Sequence, residues 1–217
     1  MTQENSESSL SFERVVFFSD AVFAIAITLL VLEIKPPHLQ ELSETALRNG
    51  LLHLIPKFTG FIVSFLIIGL MWIEHHRIFR YITNYDSGLL WRNLLFLLSV
   101  SFVPFPTALF SEYYWSQTAF ILYTASFAVV GLTKLWVWQY VRASGNLLGL
   151  HTDDITAKRI SRRSLALPLA CGVAIALSAV SVMIAPIAFI LIPLLARLLD
   201  PTRGLLKEKQ TSEALGA

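Results

Sequence analysis

The sequence predicts an all-α integral membrane protein with six transmembrane helices per chain, and three observations predict it. Apolar residues make up 55% of the 217 residues and charged residues only 15%, against about a quarter charged in an ordinary soluble domain. The mean hydropathy is +0.62. The apolar residues are gathered into long runs, the distribution a hydrocarbon solvent demands of helices that satisfy their own backbone polar groups. Both ends of the chain are polar, so the tails do not explain the deficit of charge.

The first run extends from Val15 to Ile34, about 20 residues at ~1.5 Å each, enough for ~30 Å of hydrocarbon. Pro36 and Pro37 end it. The N-terminus before it is acidic and serine-rich, without the basic region of a secretory signal or a small-residue cleavage site, so the run reads as a retained helix. A second run follows Pro56 from Phe58 to Ile73 and continues into the polar helix end Glu-His-His-Arg-Ile-Phe-Arg-Tyr. A third, Leu94 to Phe110, contains Pro104 and Pro106 and is expected to kink. A fourth runs from Thr118 to Tyr140. The stretch Leu165 to Leu199 is too long for one crossing and divides near Ile184 to Pro186 into two short helices. In the first of these, Ala166, Ala170, Ala174 and Ser178 recur every fourth position, a face that permits close helix approach. The layout gives an N-terminal tail over 1–13, a six-helix membrane domain over 14–199 and a C-terminal tail over 200–217.

Six crossings put both ends on one side, and the basic residues say which. Of the 17 Lys and Arg, thirteen fall in the tails and in loops two-three and four-five, and three, Lys35, Arg48 and Lys57, in the opposite loops. The bias predicts cytoplasmic termini. Lys134, inside the fourth run, is expected to snorkel to the same surface, where Trp136, Trp138 and Tyr140 form an aromatic belt. The single cysteine, Cys171, excludes a disulfide framework and a cysteine metal cluster. A net charge of +2 gives no reason to expect a nucleic-acid partner. No HExxH, GxSxG or paired His/Asp cluster lies in a span, so neither catalytic residues nor a cofactor are expected and the chain reads as no enzyme.

The first run carries the most unusual residues: Arg14, Phe18, Ser19 and Asp20. An acidic group near the start of a spanning helix is costly in lipid and needs a partner. Arg14 and Asp20 lie about 120° apart around the helix and do not pair within it. With Ile25 placed at 0°, Leu32, Leu29 and Thr28 fall within a stripe about 100° wide, together with Arg14, while Asp20 lies on the back. The wheel alone leaves this stripe open to lipid, to packing or to a pore.

The pattern Arg-x-x-x-Phe-Ser-Asp followed by an Ile/Leu-rich helix with Thr-Leu-Leu resembles the bacterial branch of the transmembrane-protein-175 family of potassium channels. The resemblance is strongest over Arg14 to Leu32. Trp-Ile-Glu-His-His-Arg at the end of the second run and Trp-Arg-Asn-Leu-Leu-Phe-Leu in the third are also similar. The resemblance implies a potassium-permeable cation channel whose first helix lines the pathway, with K+ as the permeant ion, built as a homotetramer in the lipid bilayer of a bacterial inner membrane. It implies that Ile25, Leu29 and Leu32 form a stacked apolar constriction, narrowest at Ile25, and that Thr28 forms a polar layer favouring potassium over sodium modestly. The chain contains no Thr-Val-Gly-Tyr-Gly filter, so gating by width and wetting of an apolar ring is the expected mechanism. Trp72 and His76 of the second run and Asn93 of the third are the expected partners of Arg14, Ser19 and Asp20, while Glu74, His75, Arg77 and Arg80 read as a solvated helix end. Adjacent His75 and His76 point about 100° apart and make a poor metal site. The alternatives are a secondary transporter, for which the broken third run is the one supporting feature, and a proton-conducting membrane protein.

Overall fold

A computed structural model describes residues 2–149 and 154–200, with side chains from residue 12 onward. The described residues are helical, without a named strand. Helix α1 spans Thr2–Leu29 and continues as a 3-10 turn over Leu30–Glu33. It therefore runs back without a break through the residues expected to be tail. Pro36 and Pro37 follow it, and next comes a helix that the sequence reading does not assign. This is α2, Glu44–His53, capped by the Ser43 hydroxyl on the Ala46 N–H at 3.2 Å, with no buried residue.

Helix α3 covers Ile55–Phe79 with Pro56 in its first turn, where a missing N–H costs nothing. The third span is broken as expected, into α4, Ser87–Phe102, and α5, Pro104–Glu112. Pro104 and Pro106 cannot donate to the carbonyls of Val100 and Phe102, and the helix gives way at Val103. The span starts earlier than the apolar pattern suggests, because the Asp86 carboxylate caps it by accepting from the Leu89 N–H at 2.7 Å. The Tyr140 hydroxyl donates to the other Asp86 oxygen at 2.7 Å and, with that cap, holds the carboxyl below its usual range. Helix α6 spans Gln117–Ala143.

The fifth crossing differs from the expectation. It begins at Asp154 rather than Leu165, as α7, Asp154–Ser164, joined to α8, Ala166–Ser178. Residues Lys158, Arg159, Arg162 and Arg163, read as loop, are the polar first half of this span. The break at Leu165 has a simple cause: Pro168 cannot donate to the Ser164 carbonyl. The chain leaves helix after Ser178, forms a 3-10 stretch over Ala185–Ile190 and ends in α9, Leu191–Leu198. At about 2 Å per residue for the 3-10 part and 1.5 Å for α9, these fourteen residues reach about 24 Å. Among the described residues five helical spans are long and apolar enough to cross a membrane, and Ala185–Leu198 is a shorter apolar helix. Residues 201–217 of the expected C-terminal tail lie outside the described residues.

Two sets of contacts fix the ends of the bundle. At one end Phe12 stacks on Phe79 and Tyr85, Tyr140 meets Asp86, and Arg159 pairs with Asp200 at 2.7 Å. At the other, Lys57 pairs with Glu112 at 2.6 Å. The start of α1 and the end of α9 therefore lie on the same, arginine-rich side. Helix α1 packs on α3 and α4, α4 on α6, and α6 on α8. The small-residue face of α8 is buried throughout, at Ala166, Ala170, Ala174 and Ser178. Opposite it, Gly131 lets α6 approach so closely that an added Cβ would lie 2.6 Å from Pro168 Cδ.

Candidate functional site in the first helix

Helix α1 has two unlike faces. Ser19, Phe23, Ala26 and Leu30 recur every three or four residues and are buried against α3 and α4. The opposite face is open from Arg14 to Leu32 among the described residues. Ile25 is 58% exposed, Leu29 and Leu32 are exposed with it, and Thr28 lies between them. Phe18 and Arg14 continue the open side toward the arginine-rich end, where they border a surface recess with Asn93 and Leu94. The Thr28 hydroxyl donates back to the carbonyls of Ala24 at 2.9 Å and Ile25 at 3.0 Å. Its proton is thereby held by the helix, and its oxygen lone pairs face outward.

The remaining motif residues tie this helix down. Ser19 Oγ donates to the Val15 carbonyl at 2.9 Å and accepts from Asn93 Nδ2 at 2.9 Å. Asn93 Oδ1 in turn accepts from His75 Nε2 at 3.0 Å. One chain of hydrogen bonds thus links α1, α4 and α3 inside the core. Beside it, Trp72 Nε1 donates to Asp20 Oδ1 at 2.8 Å. This indole is the partner that the acid at the start of the helix needs.

The expected set is corrected at the histidines. His75, read as part of a solvated helix end, is 2% exposed and lies between Phe79, with ring centroids 4.1 Å apart, and Phe96, at 5.4 Å. His76 is exposed and sits tilted against Trp72 at 6.0 Å, outside the hydrogen-bond chain. The register of α3 was the signal that could have found this. Ile67, Ile68, Met71, Ile78 and Phe79 are its buried positions, and His75 falls on their stripe whereas His76 is turned 100° away. Glu74 is also drawn inward, between Arg77 at 2.7 Å and Arg163 at 3.3 Å. Lys134, expected to snorkel, is buried at 2% exposure.

The chain that carries this arrangement is similar to known proteins. The sequence model of the family described as "Endosomal/lysosomal potassium channel TMEM175" matches residues 14–104, the region that holds α1, α3, α4 and the whole hydrogen-bond chain. "Potassium channel B446_29190" of Streptomyces collinus is 37% identical over 173 residues, covering 74% of this chain and 81% of the relative. The chain belongs to the TMEM175 family. "Potassium channel Cha6605_3372" of Chamaesiphon minutus is 38% identical over 172 residues, which cover 78% of this chain and 85% of that one. The crystal structure of a lysosomal potassium-selective channel TMEM175 homolog from the same organism superposes with a TM-score of 0.75 at 34% identity, covering 88% of this chain and 98% of that chain. The family is one of channels, not enzymes, and the fold is its all-helical membrane fold.

Proposed function

We propose that this chain is a potassium-permeable cation channel of a bacterial plasma membrane, in which four copies place the open face of α1 around a common pathway. The observation that carries this reading is the split character of α1: its back is locked by Ser19, Asp20, Asn93 and Trp72 while Ile25, Thr28, Leu29 and Leu32 are exposed among the described residues. A single pore helix cannot enclose a pathway, so the face needs other copies. Ile25, Leu29 and Leu32 then form stacked apolar rings one turn apart. Such a ring blocks ions when narrow and dry and passes them when slightly wider and wet. Thr28 lies between the first and last of these rings, and its outward lone pairs offer a few oxygens to a cation that has shed part of its water. Discrimination between potassium and sodium is modest on this account. On this reading the end of the bundle where Phe12 and Asp200 lie faces the cytoplasm, because most of the arginines and lysines fall on that side.

Planar-bilayer recording of purified protein in opposed potassium and sodium tests the reading, with Ile25→Asn beside wild type. Current without a coupled solute gradient, raised by Ile25→Asn, is the expected result. Saturable, counter-ion-dependent flux that ignores Ile25 would make the protein a transporter and remove the constriction from α1.

A further inference from the structure

A second polar site lies away from α1, at the arginine-rich end between α3, α6, α8 and α9. It is a cavity of about 240 Å³ with Met71 and Ile192 on its walls and Glu74, Lys134, Arg163 and Arg197 about its head. Lys134 is 2% exposed and forms no ion pair within 4 Å among the described residues. The carboxylates nearby are already shared. Glu74 Oε1 accepts from Arg77 Nη1 at 2.7 Å and Arg163 Nη2 at 3.3 Å. Asp200 Oδ2 lies 2.7 Å from an Arg159 nitrogen and 3.9 Å from Arg163 Nη1. Arg163 Nε is nevertheless buried with no acceptor. A buried ammonium with no anion in contact costs several kcal/mol beside an apolar wall, and the Arg163 Nε–H adds the cost of a buried donor without an acceptor.

The depth of the site says what kind of anion. Lys134 stands two residues before Trp136 and six before Tyr140, on whose rings the Arg92 guanidinium stacks at 4.8 and 3.8 Å. Aromatic and basic residues at such a level mark the headgroup zone of a bilayer. A ligand that suits both halves of the cavity has an anionic head for Lys134, Arg163 and Arg197 and a hydrocarbon body for Met71 and Ile192. We propose that this cavity binds the phosphate of an anionic phospholipid, with Lys134 as its buried cation and the acyl chains lying along the apolar wall between α3 and α9. The lipid completes the charge balance of the α3–α6–α8–α9 contact, and its binding does not involve the conduction pathway.

Thermal melting of the purified protein in detergent tests this, with added phosphatidylglycerol, phosphatidylcholine or inorganic phosphate. Phosphatidylglycerol should raise the melting temperature and phosphatidylcholine should not. Lys134→Met, which keeps the volume and removes the charge, should weaken the apparent phosphatidylglycerol affinity by about tenfold or more, the weight of one charge-assisted hydrogen bond. Arg197→Gln, at the exposed rim, should weaken it in the same direction and carries the test if Lys134→Met does not fold. An unchanged response in the variant tested, or an equal response to phosphatidylcholine, overturns the site. A response reproduced in full by inorganic phosphate assigns the cavity to a soluble anion and overturns the lipid.

Discussion

The Asn93 amide does two things at once: its nitrogen donates to Ser19 and its oxygen accepts from His75. Both bonds are in the core, where an amide removed without replacement strands its partners. Asn93→Leu fits the volume and leaves the His75 Nε2–H without an acceptor, so it should destabilise the protein by about 2–4 kcal/mol, two orphaned groups at ~1–2 kcal/mol each. Ser19→Ala should cost less, about 1 kcal/mol, because it frees only one amide N–H of Asn93. Equilibrium unfolding in mixed micelles measures both, and equal losses would show that the bond between Asn93 and His75 contributes nothing to stability. Much of this network was legible in the sequence. An acid and a serine on the back of an apolar helix demand polar partners, and Trp72, His76 and Asn93 are the expected ones at matching depth, the first two favoured by the family resemblance. The histidine was not legible from polarity, since His75 and His76 are chemically identical neighbours. Only the apolar register of α3 distinguishes them, and Met71 and Phe79, four residues to either side of His75, set that register.

Between elements, α6 and α8 approach closely, and the approach depends on Gly131. A methyl group there would meet Pro168 at 2.6 Å, and Pro168 has little freedom to yield because its ring is locked at the start of α8. Gly131→Ala should therefore force the helices apart and destabilise by about 1–3 kcal/mol, the usual range for overpacking. Gly172, on α8 itself, has nothing within 4 Å of a built Cβ. Gly172→Ala should be neutral or should stabilise by up to about 1 kcal/mol through helix propensity alone. Melting of the two variants side by side separates the effects, and a similar response from both would mean that the contact is loose. The four-residue recurrence of small residues made the buried face of α8 legible beforehand. The same reading missed α2, which buries no residue and owes its start to the Ser43 cap. It also left α7 out of the fifth crossing: a helix start at Asp154 is readable, but four cationic residues over 158–163 hide its continuity with α8 when only hydropathy is weighed. Three of them find acids: Lys158 pairs with Asp154 on the surface of α7, Arg159 with Asp200 and Arg163 with Glu74.

At the level of the whole molecule, the open face of α1 is what the fold leaves unfinished. Ser19 and Asp20 of α1 are satisfied inside the chain, yet Ile25 and Leu32 stay exposed on the same helix and its continuation. Lipid would accept such a face, but lipid gives no reason for Thr28 to sit between Ile25 and Leu32 with its lone pairs outward, or for Arg14 to share the stripe. A common axis between copies accounts for both. If the copies meet there, cysteines at position 25 lie close to one another across the axis, whereas cysteines on the far side of the bundle do not. The sole native cysteine, Cys171, is buried and leaves the background silent. Ile25→Cys should therefore give disulfide-linked dimers on non-reducing gels after mild oxidation in membranes, with loss of current that reductant restores. Val173→Cys, exposed on α8, should remain monomeric under the same treatment. Cross-linking at Val173 with none at Ile25 would place the contact between copies on α8 and turn the open face of α1 outward to lipid.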